Sequence, residues 1–276
     1  MINIDVLLEN GKDSREFIAK HGLSIVINNG IQSILLDVGP DGSFLKNANK
    51  MGIEISGFRT LVLSHSHLDH TGGLDHFCSV NKAANIILFD SPSSRYFVSI
   101  FGILRLPVSL KAKPANMERI RSLHENIQID RKTWFIRNTC HDNKKPSFNK
   151  NLLKHIDNNY ITDTFDHEGI LVLEDDGELA VFNSCSHNGV INSIESVKQQ
   201  FKGMKIRSYV GGFHFHDPIG NRDEEDGSLD SLVKYIKPSG IRLYTGHCTG
   251  DYPFEYLKKE LGEQIVRMRT GYRMSV

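Results

Sequence analysis

The chain has 276 residues, and its 33 Lys and Arg residues balance 33 Asp and Glu residues, so the formal net charge is zero at pH 7. This balance argues against a global attraction to nucleic acid or to an anionic membrane surface, and no apolar run approaches the roughly 20 residues needed to span a bilayer. A chain of this length can bury a large core as one layered α/β domain.

The N-terminal residues lack the basic start and apolar stretch of a secretory signal, so we expect a cytoplasmic protein. The four cysteines, Cys78, Cys140, Cys185 and Cys248, form no Cys-x-x-Cys pair. Their spacing argues against a disulfide framework or a structural zinc knuckle. The chain also has 13 histidines, and their positions carry more information than their number.

The first third of the chain predicts a sheet with two helices. Short runs rich in Ile, Val and Leu, bounded by Asn or Gly, are typical of strands. Helical spacing of apolar residues predicts a helix at 43–51, and Gly72-Gly73 precedes a second one. Strands are expected near 4–8, 23–27, 33–38, 60–63 and 85–89.

The pattern is less regular from about 90 to 165, where four prolines interrupt it and a helix is expected near 117–126. So long a segment with many aromatic and apolar residues is more typical of a lid or a substrate-binding insertion than of a linker. We therefore expect a single domain over 1–276 with such an insertion at about 90–165. Arg95, Tyr96, Phe101 and Arg105 offer it aromatic surface and positive charge.

Regular alternation returns after residue 169, with a hairpin expected at 170–173 and 179–182 around an Asp-Asp-Gly turn. Strands and helices then alternate. Strands are expected near 207–210, 242–245 and 264–268, and helices near 190–201, 229–236 and 254–261. Two halves, each with strands first and helices after, predict an α/β fold of two sheets with helices outside.

The run His65-Ser66-His67-Leu68-Asp69-His70 follows the strand expected at 60–63. If the turn is extended, the imidazoles of His65 and His67 project to the same side and can share one metal ion. Asp69 and His70 could bind a second ion through a carboxylate oxygen and an imidazole nitrogen. This combination of ligands suits zinc and is compatible with manganese or iron.

Three later turns place histidines at strand ends beside Gly or Ser. Ligands gather at strand ends in layered α/β folds because loops can converge there while the sheet stays rigid. The three turns are Ser184-Cys185-Ser186-His187, Gly211-Gly212-Phe213-His214 and Gly246-His247-Cys248-Thr249-Gly250.

The run His65-x-His67-x-Asp69-His70 resembles the signature of the metallo-β-lactamase superfamily, and the later turns look like its dihydropterin and ribofuranosyl-aminobenzene phosphate synthase-like branch. The resemblance implies an αββα sandwich of two mixed sheets flanked by helices, with one or two metal ions at the edge of the sheets. Carried over residue by residue, it implies that the first ion binds His65 and His67, and that the second binds Asp69, His70 and His247.

His187 is a further ligand implied by the resemblance. Many superfamily members have a bridging Asp where this chain has Ser184-Cys185. Three alternatives stay open: Cys185 supplies a thiolate, His187 takes over that side, or the bridge is missing. We favour His187, because an imidazole needs no deprotonation near neutral pH whereas a thiol does.

Other polar residues have open roles. His214 could bind metal, position a substrate oxyanion, donate a proton or support a ligand. His167 lies roughly where other members have a metal-binding histidine, but the Asp166-His167-Glu168 run is more typical of a solvated turn. Asp37 could accept a hydrogen bond from a ligand histidine and fix its tautomer, although an Asp before Gly39 is equally typical of a turn.

The predicted function is hydrolysis by a metal-activated hydroxide. We expect two divalent metal ions, with zinc as the favoured metal and manganese or iron as alternatives. Asp69 is expected to orient the hydroxide and His214 to act in catalysis. The expected substrate is a small, anionic ester, lactone or phosphoester, pterin- or ribose-phosphate-like if the branch resemblance extends to substrate. The alternatives are an iron-dependent redox member of the same fold, a nuclease, and a non-catalytic metal-binding relative. The neutral charge and short length argue against nucleic acid as partner.

Overall fold

The computed structural model describes every residue from Met1 to Val276. The strands, in chain order, are β1 (Asn3–Leu8), β2 (Ser24–Asn28), β3 (Ser33–Leu36), β4 (Thr60–Val62), β5 (Asn85–Leu88), β6 (Tyr96–Ile100), β7 (Leu104–Pro107), β8 (Ile120–Ser122), β9 (Ile127–Asp130), β10 (Thr133–Arg137), β11 (Leu152–Ile156), β12 (Asn159–Thr162), β13 (Gly169–Asp175), β14 (Glu178–Phe182), β15 (Lys205–Val210), β16 (His216–Asp217), β17 (Arg222–Asp223), β18 (Arg242–Thr245), β19 (Ile265–Arg267) and β20 (Arg273–Ser275).

The α-helices are α1 (Ser43–Lys50), α2 (Leu68–Thr71), α3 (Leu74–Val80), α4 (Pro114–Met117), α5 (Val190–Gln200), α6 (Asp226–Ile236) and α7 (Asp251–Leu261). Short 3₁₀ turns lie at Ile55–Gly57, Ser147–Asn151, His247–Thr249 and Gly262–Gln264. No helix in the structure is both long enough and apolar enough to cross a lipid bilayer.

The chain divides into two compact units. The first contains residues 1–125, 152–163 and 268–276, and the second contains residues 126–151 and 164–267. The region at 90–165, expected to be an insertion, contributes strands to both units. Its role as a lid and the assignment of one domain stay predictions.

The first unit is built on a seven-stranded mixed sheet in the order β20-β1-β2-β3-β4-β5-β8. Its strands β3, β4, β5 and β8 are parallel, so their carboxyl ends lie along one edge. Helices α1 and α3 cover it with buried side chains such as Phe44, Ala48, Leu74 and Phe77, which lie in one core with Leu61. A four-stranded antiparallel sheet, β12-β11-β6-β7, completes the unit.

The second unit is built on another seven-stranded mixed sheet, in the order β19-β18-β15-β14-β13-β10-β9. Strands β14, β15, β18 and β19 are parallel neighbours. Helix α5 buries Val190, Ile194 and Val197, which lie four and three residues apart and therefore on one helical face. Helices α6 and α7 bury the same kind of stripe in the same core.

Most of the strands and helices expected from the sequence are present within a few residues of their predicted bounds, and the mixed α/β class is confirmed. The helix expected near 117–126 is wrong. In the structure α4 ends at Met117, and β8 pairs in parallel with β5 through Ile86 and Ile120. Burial of Ile120 and Leu123 in the first unit outweighs the local helical spacing.

Candidate functional site

In the first unit, three polar segments follow parallel neighbouring strands. Asp37 comes directly after β3, the run beginning at His65 follows β4, and Asp90 follows β5. Because the carboxyl ends of parallel strands meet at one edge of a sheet, these segments lie together. His65, His67 and His70 form ring contacts, with centroids 4.6 Å apart for His65 and His67 and 4.3 Å apart for His65 and His70.

Asp37 is a fully buried carboxylate that receives three hydrogen bonds. The backbone N–H and the hydroxyl of Ser64 both donate to it at 2.7 Å, and His70 Nδ1 lies 2.7 Å from its Oδ2. A carboxylate only accepts, so His70 Nδ1 carries the hydrogen. The predicted hydrogen bond between Asp37 and a candidate ligand histidine is therefore confirmed, and coordination by His70 would use Nε2.

The same carboxylate orients His65 through Ser64. The Ser64 hydroxyl donates its only hydrogen to Asp37, so its oxygen, 2.8 Å from His65 Nδ1, accepts from that ring nitrogen. His65 Nδ1 then carries its hydrogen as well, and Nε2 is the nitrogen that could bind an ion. One buried carboxylate thus sets the tautomers of two histidines, an arrangement found behind metal-bound imidazoles.

Asp69 lies in the first turn of α2 and is partly exposed, and its Oδ2 is 3.4 Å from the Nε2 atoms of both His70 and His21. Burial acts to lower the pKa of His70, but the Asp69 and Asp37 carboxylates outweigh it and raise that pKa to about 10. In the absence of a metal ion, His70 is therefore a cation held between two carboxylates. A divalent cation could replace that proton.

Ser66 anchors the loop between His65 and His67. Its hydroxyl donates to Asp90 Oδ2 at 2.5 Å, and the Tyr96 hydroxyl donates to the same oxygen at 2.9 Å. Burial, followed by the charge of Asp90, raises the pKa of Tyr96, so its phenol stays a donor. Tyr96 also meets His67 edge-on, with centroids 6.0 Å apart. Asp90 is thus part of the support for the histidine run, although the motif does not include it.

In the second unit, the three later histidine turns follow β14, β15 and β18, which are adjacent and parallel. Their carboxyl ends meet at one edge, as the sequence predicted. Gly211 makes this close approach possible, because its φ is 144° and a Cβ there would collide with the Asn183 carbonyl. The rings of His187 and His214 come together with centroids 4.3 Å apart.

His187 is buried and held on several sides. It stacks on Phe165, with centroids 4.5 Å apart and the planes 6° from parallel. The Asn149 amide nitrogen donates to the His187 carbonyl at 2.7 Å, so Asn149 Oδ1 faces His187 Nδ1 at 3.2 Å and accepts from it. Coordination by His187 would therefore use Nε2, as for His65 and His70.

The expectation of a solvated turn at Asp166-His167-Glu168 is wrong, because His167 and Glu168 are each 1% exposed. Glu168 accepts the backbone N–H of His187 at 2.7 Å and that of Asn188 at 2.9 Å. Burial raises the pKa of this carboxyl, and these hydrogen bonds act against the shift. Glu168 is a supporting residue that local sequence did not reveal, since its partners lie 19 and 20 residues away.

His214 has a left-handed backbone, with φ of 52°, which is uncommon for a residue with a side chain. Its Nδ1 is buried and has no hydrogen-bond partner. An unsatisfied buried nitrogen is costly, so such atoms in native proteins call for an ion, a ligand or a water molecule. His247 is also buried, with φ of 50°, on the short turn His247–Thr249. His216 instead pairs with Asp223 at 2.8 Å.

Cys185 and Cys248 meet within the second unit, where their Sγ atoms are 3.6 Å apart. The backbone N–H of His214 donates to Cys248 Sγ at 3.2 Å. Burial acts to raise the pKa of the Cys248 thiol, but the Cys185 thiol and the neighbouring histidines His247 and His214 hold it well below its usual value. Neither Cys185 nor Cys248 is part of a disulfide.

The donor set fits divalent metal ions. The first unit presents two buried imidazoles whose Nδ1 is held by a neighbouring side chain, those of His65 and His70, and adds the carboxylate of Asp69. The second unit presents one such imidazole, that of His187. His214 adds a buried nitrogen without a partner. Histidine, cysteine and aspartate side chains of the chain form groups that could hold an ion, and the ligand types suit zinc, manganese or iron.

Comparison with known proteins supports the resemblance. Residues 19–88 match the family model of the metallo-beta-lactamase superfamily. A 7,8-dihydropterin-6-methyl-4-(beta-D-ribofuranosyl)-aminobenzene-5'-phosphate synthase from Methanocaldococcus jannaschii is 27% identical over 92% of this chain and 90% of its own length. An uncharacterised protein of the same organism is 25% identical over 90% of each chain.

Among solved structures, Tm1679, described as a metal-dependent hydrolase of the beta-lactamase superfamily, superposes with a TM-score of 0.84 and 22% identity over 100% of this chain and 99% of that one. Zinc-bound PqqB from Methylobacterium extorquens matches with a TM-score of 0.55 and 12% identity over 99% and 100%. The chain has the metallo-β-lactamase fold, and the resemblance expected from its histidine run is confirmed.

Proposed function

We propose that this protein is a metal-dependent hydrolase that uses two divalent ions, most simply zinc. The proposed ligands are His65, His67, Asp69, His70, His187 and His247, as the resemblance implies. The observation that carries the proposal is Asp37, a buried carboxylate that directs the Nε2 atoms of both His65 and His70 toward a ligand.

When bound, such ions lower the pKa of water and polarise a substrate oxygen. The residues of the chain supply orientation and proton handling. Asp69 is partly exposed, so its carboxylate can both bind an ion and accept a hydrogen bond from the attacking water. His214 has a buried Nδ1 without a partner, which suits a role in donating a proton to the leaving group or in holding a substrate oxygen.

The proposed substrate is a small anionic ester, lactone or phosphoester. The dihydropterin-type name of the relative supports a ring-containing phosphate compound. The four-stranded sheet of the first unit offers matching chemistry: the Arg105 guanidinium lies 4.4 Å from the centre of the Tyr160 ring, and Arg95 donates to His155 at 2.7 Å. Guanidinium groups and aromatic rings together suit an anionic aromatic ligand.

The relative is named a synthase, so the experiment must separate hydrolysis from other metal-dependent chemistry. Purified protein would be tested against a panel of phosphomonoesters, phosphodiesters, lactones and thioesters, with metal content measured on the same samples. We expect hydrolysis of at least one anionic member by wild-type protein and by the control His76→Ala, whose histidine is exposed and outside the ligand set.

The double variant His65→Ala/His67→Ala should lose both metal and activity. Full metal content without hydrolysis of any member would contradict the hydrolase and favour a metal-binding relative without catalysis. Iron as the bound metal together with redox turnover would favour the redox alternative.

A further inference from the structure

Two cysteines that lie far apart in the sequence are brought together in the second unit. Cys185 follows β14, and Cys248 lies on the turn after β18. Their Sγ atoms are 3.6 Å apart, and both residues are buried, with 3% and 5% of their surfaces exposed. Strands β14 and β18 both flank β15, so the sheet itself fixes the spacing of the two loops.

The position of Cys248 is restrained on several sides. Its Sγ accepts the backbone N–H of His214 at 3.2 Å, and it packs on Gly212, where a Cβ would lie only 2.5 Å away. The Cys248 thiol is 3.8 Å from the Cys185 carbonyl as well as 3.6 Å from its sulfur. These contacts leave Cys248 facing Cys185, so the two thiols are already close to the separation at which they can react.

We infer that Cys185 and Cys248 form a reversible disulfide when the protein meets a hydroperoxide. A disulfide bond is about 2.05 Å long, so the sulfurs need to approach by only about 1.5 Å. The inference goes beyond the proposed function, because a thiol pair can be oxidised whether or not the protein is a hydrolase.

The chemistry balances with hydrogen peroxide as the oxidant. One thiol reacts with the peroxide to give a sulfenic acid and a water molecule. The second thiol then attacks the sulfenic sulfur and displaces its hydroxide, which takes up the proton of that thiol and leaves as a second water molecule. The two cysteines together lose two electrons and two protons, and the peroxide is reduced to water. Peroxide is small enough for a buried pair, and a reducing dithiol reverses the reaction by thiol–disulfide exchange.

The other two cysteines provide internal controls. Cys140 lies in the same unit, where its Sγ is 3.8 Å from an Asp142 oxygen and 3.7 Å from an Asn192 oxygen, and Cys78 lies in the first unit. Neither is part of a disulfide. All four cysteines fall on separate tryptic peptides, spanning 60–82, 138–144, 155–198 and 243–258.

The test is peptide mapping of metal-loaded wild-type protein before and after hydrogen peroxide. Free thiols would be alkylated under denaturing conditions, followed by tryptic digestion without reductant. We expect the peptides 155–198 and 243–258 to lose alkylation together and to appear as one linked species lighter by two hydrogen atoms. Dithiothreitol should restore both alkylated peptides.

Serine variants add a second reading. In Cys185→Ser or Cys248→Ser the remaining cysteine should advance to sulfinic or sulfonic acid, while Cys140→Ser should leave the linked species unchanged. If either variant fails to fold, the wild-type map still decides. Oxidation of Cys185 or Cys248 singly, linkage to another cysteine, or full alkylation of both after peroxide would overturn the inference.

Discussion

Replacing Asp37 by asparagine keeps the shape of the side chain but reverses the hydrogen bonding behind two candidate ligands. In the wild-type protein, Oδ2 accepts from the Ser64 hydroxyl and from His70 Nδ1. An amide nitrogen at that position donates instead. The Ser64 hydroxyl must then accept from the introduced amide and donate to His65, and His70 Nδ1 must accept.

Both changes move the ring hydrogen of a neutral histidine from Nδ1 to Nε2, so that His65 and His70 would each present N–H where a metal lone pair is needed. Substitution of partners behind metal ligands costs about 10- to 100-fold in affinity. Two ligands are affected here, so we expect zinc affinity to fall by at least about 100-fold. The free energy of unfolding should fall by about 1.5–3 kcal/mol for each hydrogen bond to the carboxylate that is not replaced.

The assay is competition for zinc with a chromophoric chelator, with chemical unfolding of the metal-free protein measured in parallel. Asp41→Asn is the matched control, because Asp41 is a carboxylate of the same unit that is 39% exposed and pairs with Lys20. An Asp37→Asn variant that binds zinc as tightly as the wild-type protein would refute the reasoning.

Three further predictions concern pH, the second unit and the substrate. The Asp69 and Asp37 carboxylates raise the pKa of His70 to about 10 against the effect of burial, so the His70 proton must leave before an ion binds, and zinc affinity should fall about tenfold for each pH unit below 10. Titration calorimetry in buffers of different ionisation enthalpy would detect the released proton. Zinc binding without proton release would contradict this prediction. Glu168→Gln should destabilise the metal-free protein by about 1.5–3 kcal/mol, since the oxygen of the introduced amide can accept from only one of the backbone N–H groups of His187 and Asn188. Glu178→Gln is the control. Equal unfolding midpoints for Glu168→Gln and the wild-type protein would count against the role of Glu168. Arg105→Gln should raise KM for anionic substrates about two- to fivefold and leave KM for neutral esters unchanged. An equal change in KM for anionic and neutral substrates would exclude recognition of the substrate charge by Arg105.

The sheets were predictable because their strands are short runs of Ile, Val and Leu separated by Gly, Asn or Asp. Helix α5 was predictable because its apolar residues recur every three or four positions. The end of β4 was predictable for the same reason, and with it the placement of His65 after a buried strand. Local pattern and tertiary structure agree at these positions.

The errors arose where distant partners decide the structure. Residues 120–122 became a strand because β5 offered a parallel edge, a contact that spans more than thirty residues of sequence. Strand β20 is short and largely polar, and it exists because it pairs with β1 at the other end of the chain. Local sequence contains no signal for either pairing.

The candidate site was likewise only partly predictable from the sequence. The histidines were identifiable from spacing and residue type, whereas Glu168 and Asp90 were not, because a carboxylate in a polar run usually faces solvent. Only the folded chain shows that Glu168 holds the loop of His187 and that Asp90 holds Ser66. Supporting residues of this kind are defined by partners far away in sequence.

The most direct test of the proposed metal-dependent hydrolysis is a zinc titration of chelator-treated protein, followed by the rate of cleavage of whichever anionic ester the substrate panel identifies. We predict no cleavage without metal, a rate that rises to a plateau at two equivalents of zinc, and no recovery in the His65→Ala/His67→Ala variant. Cleavage that persists in metal-free protein, or that returns equally in the double variant, would contradict it.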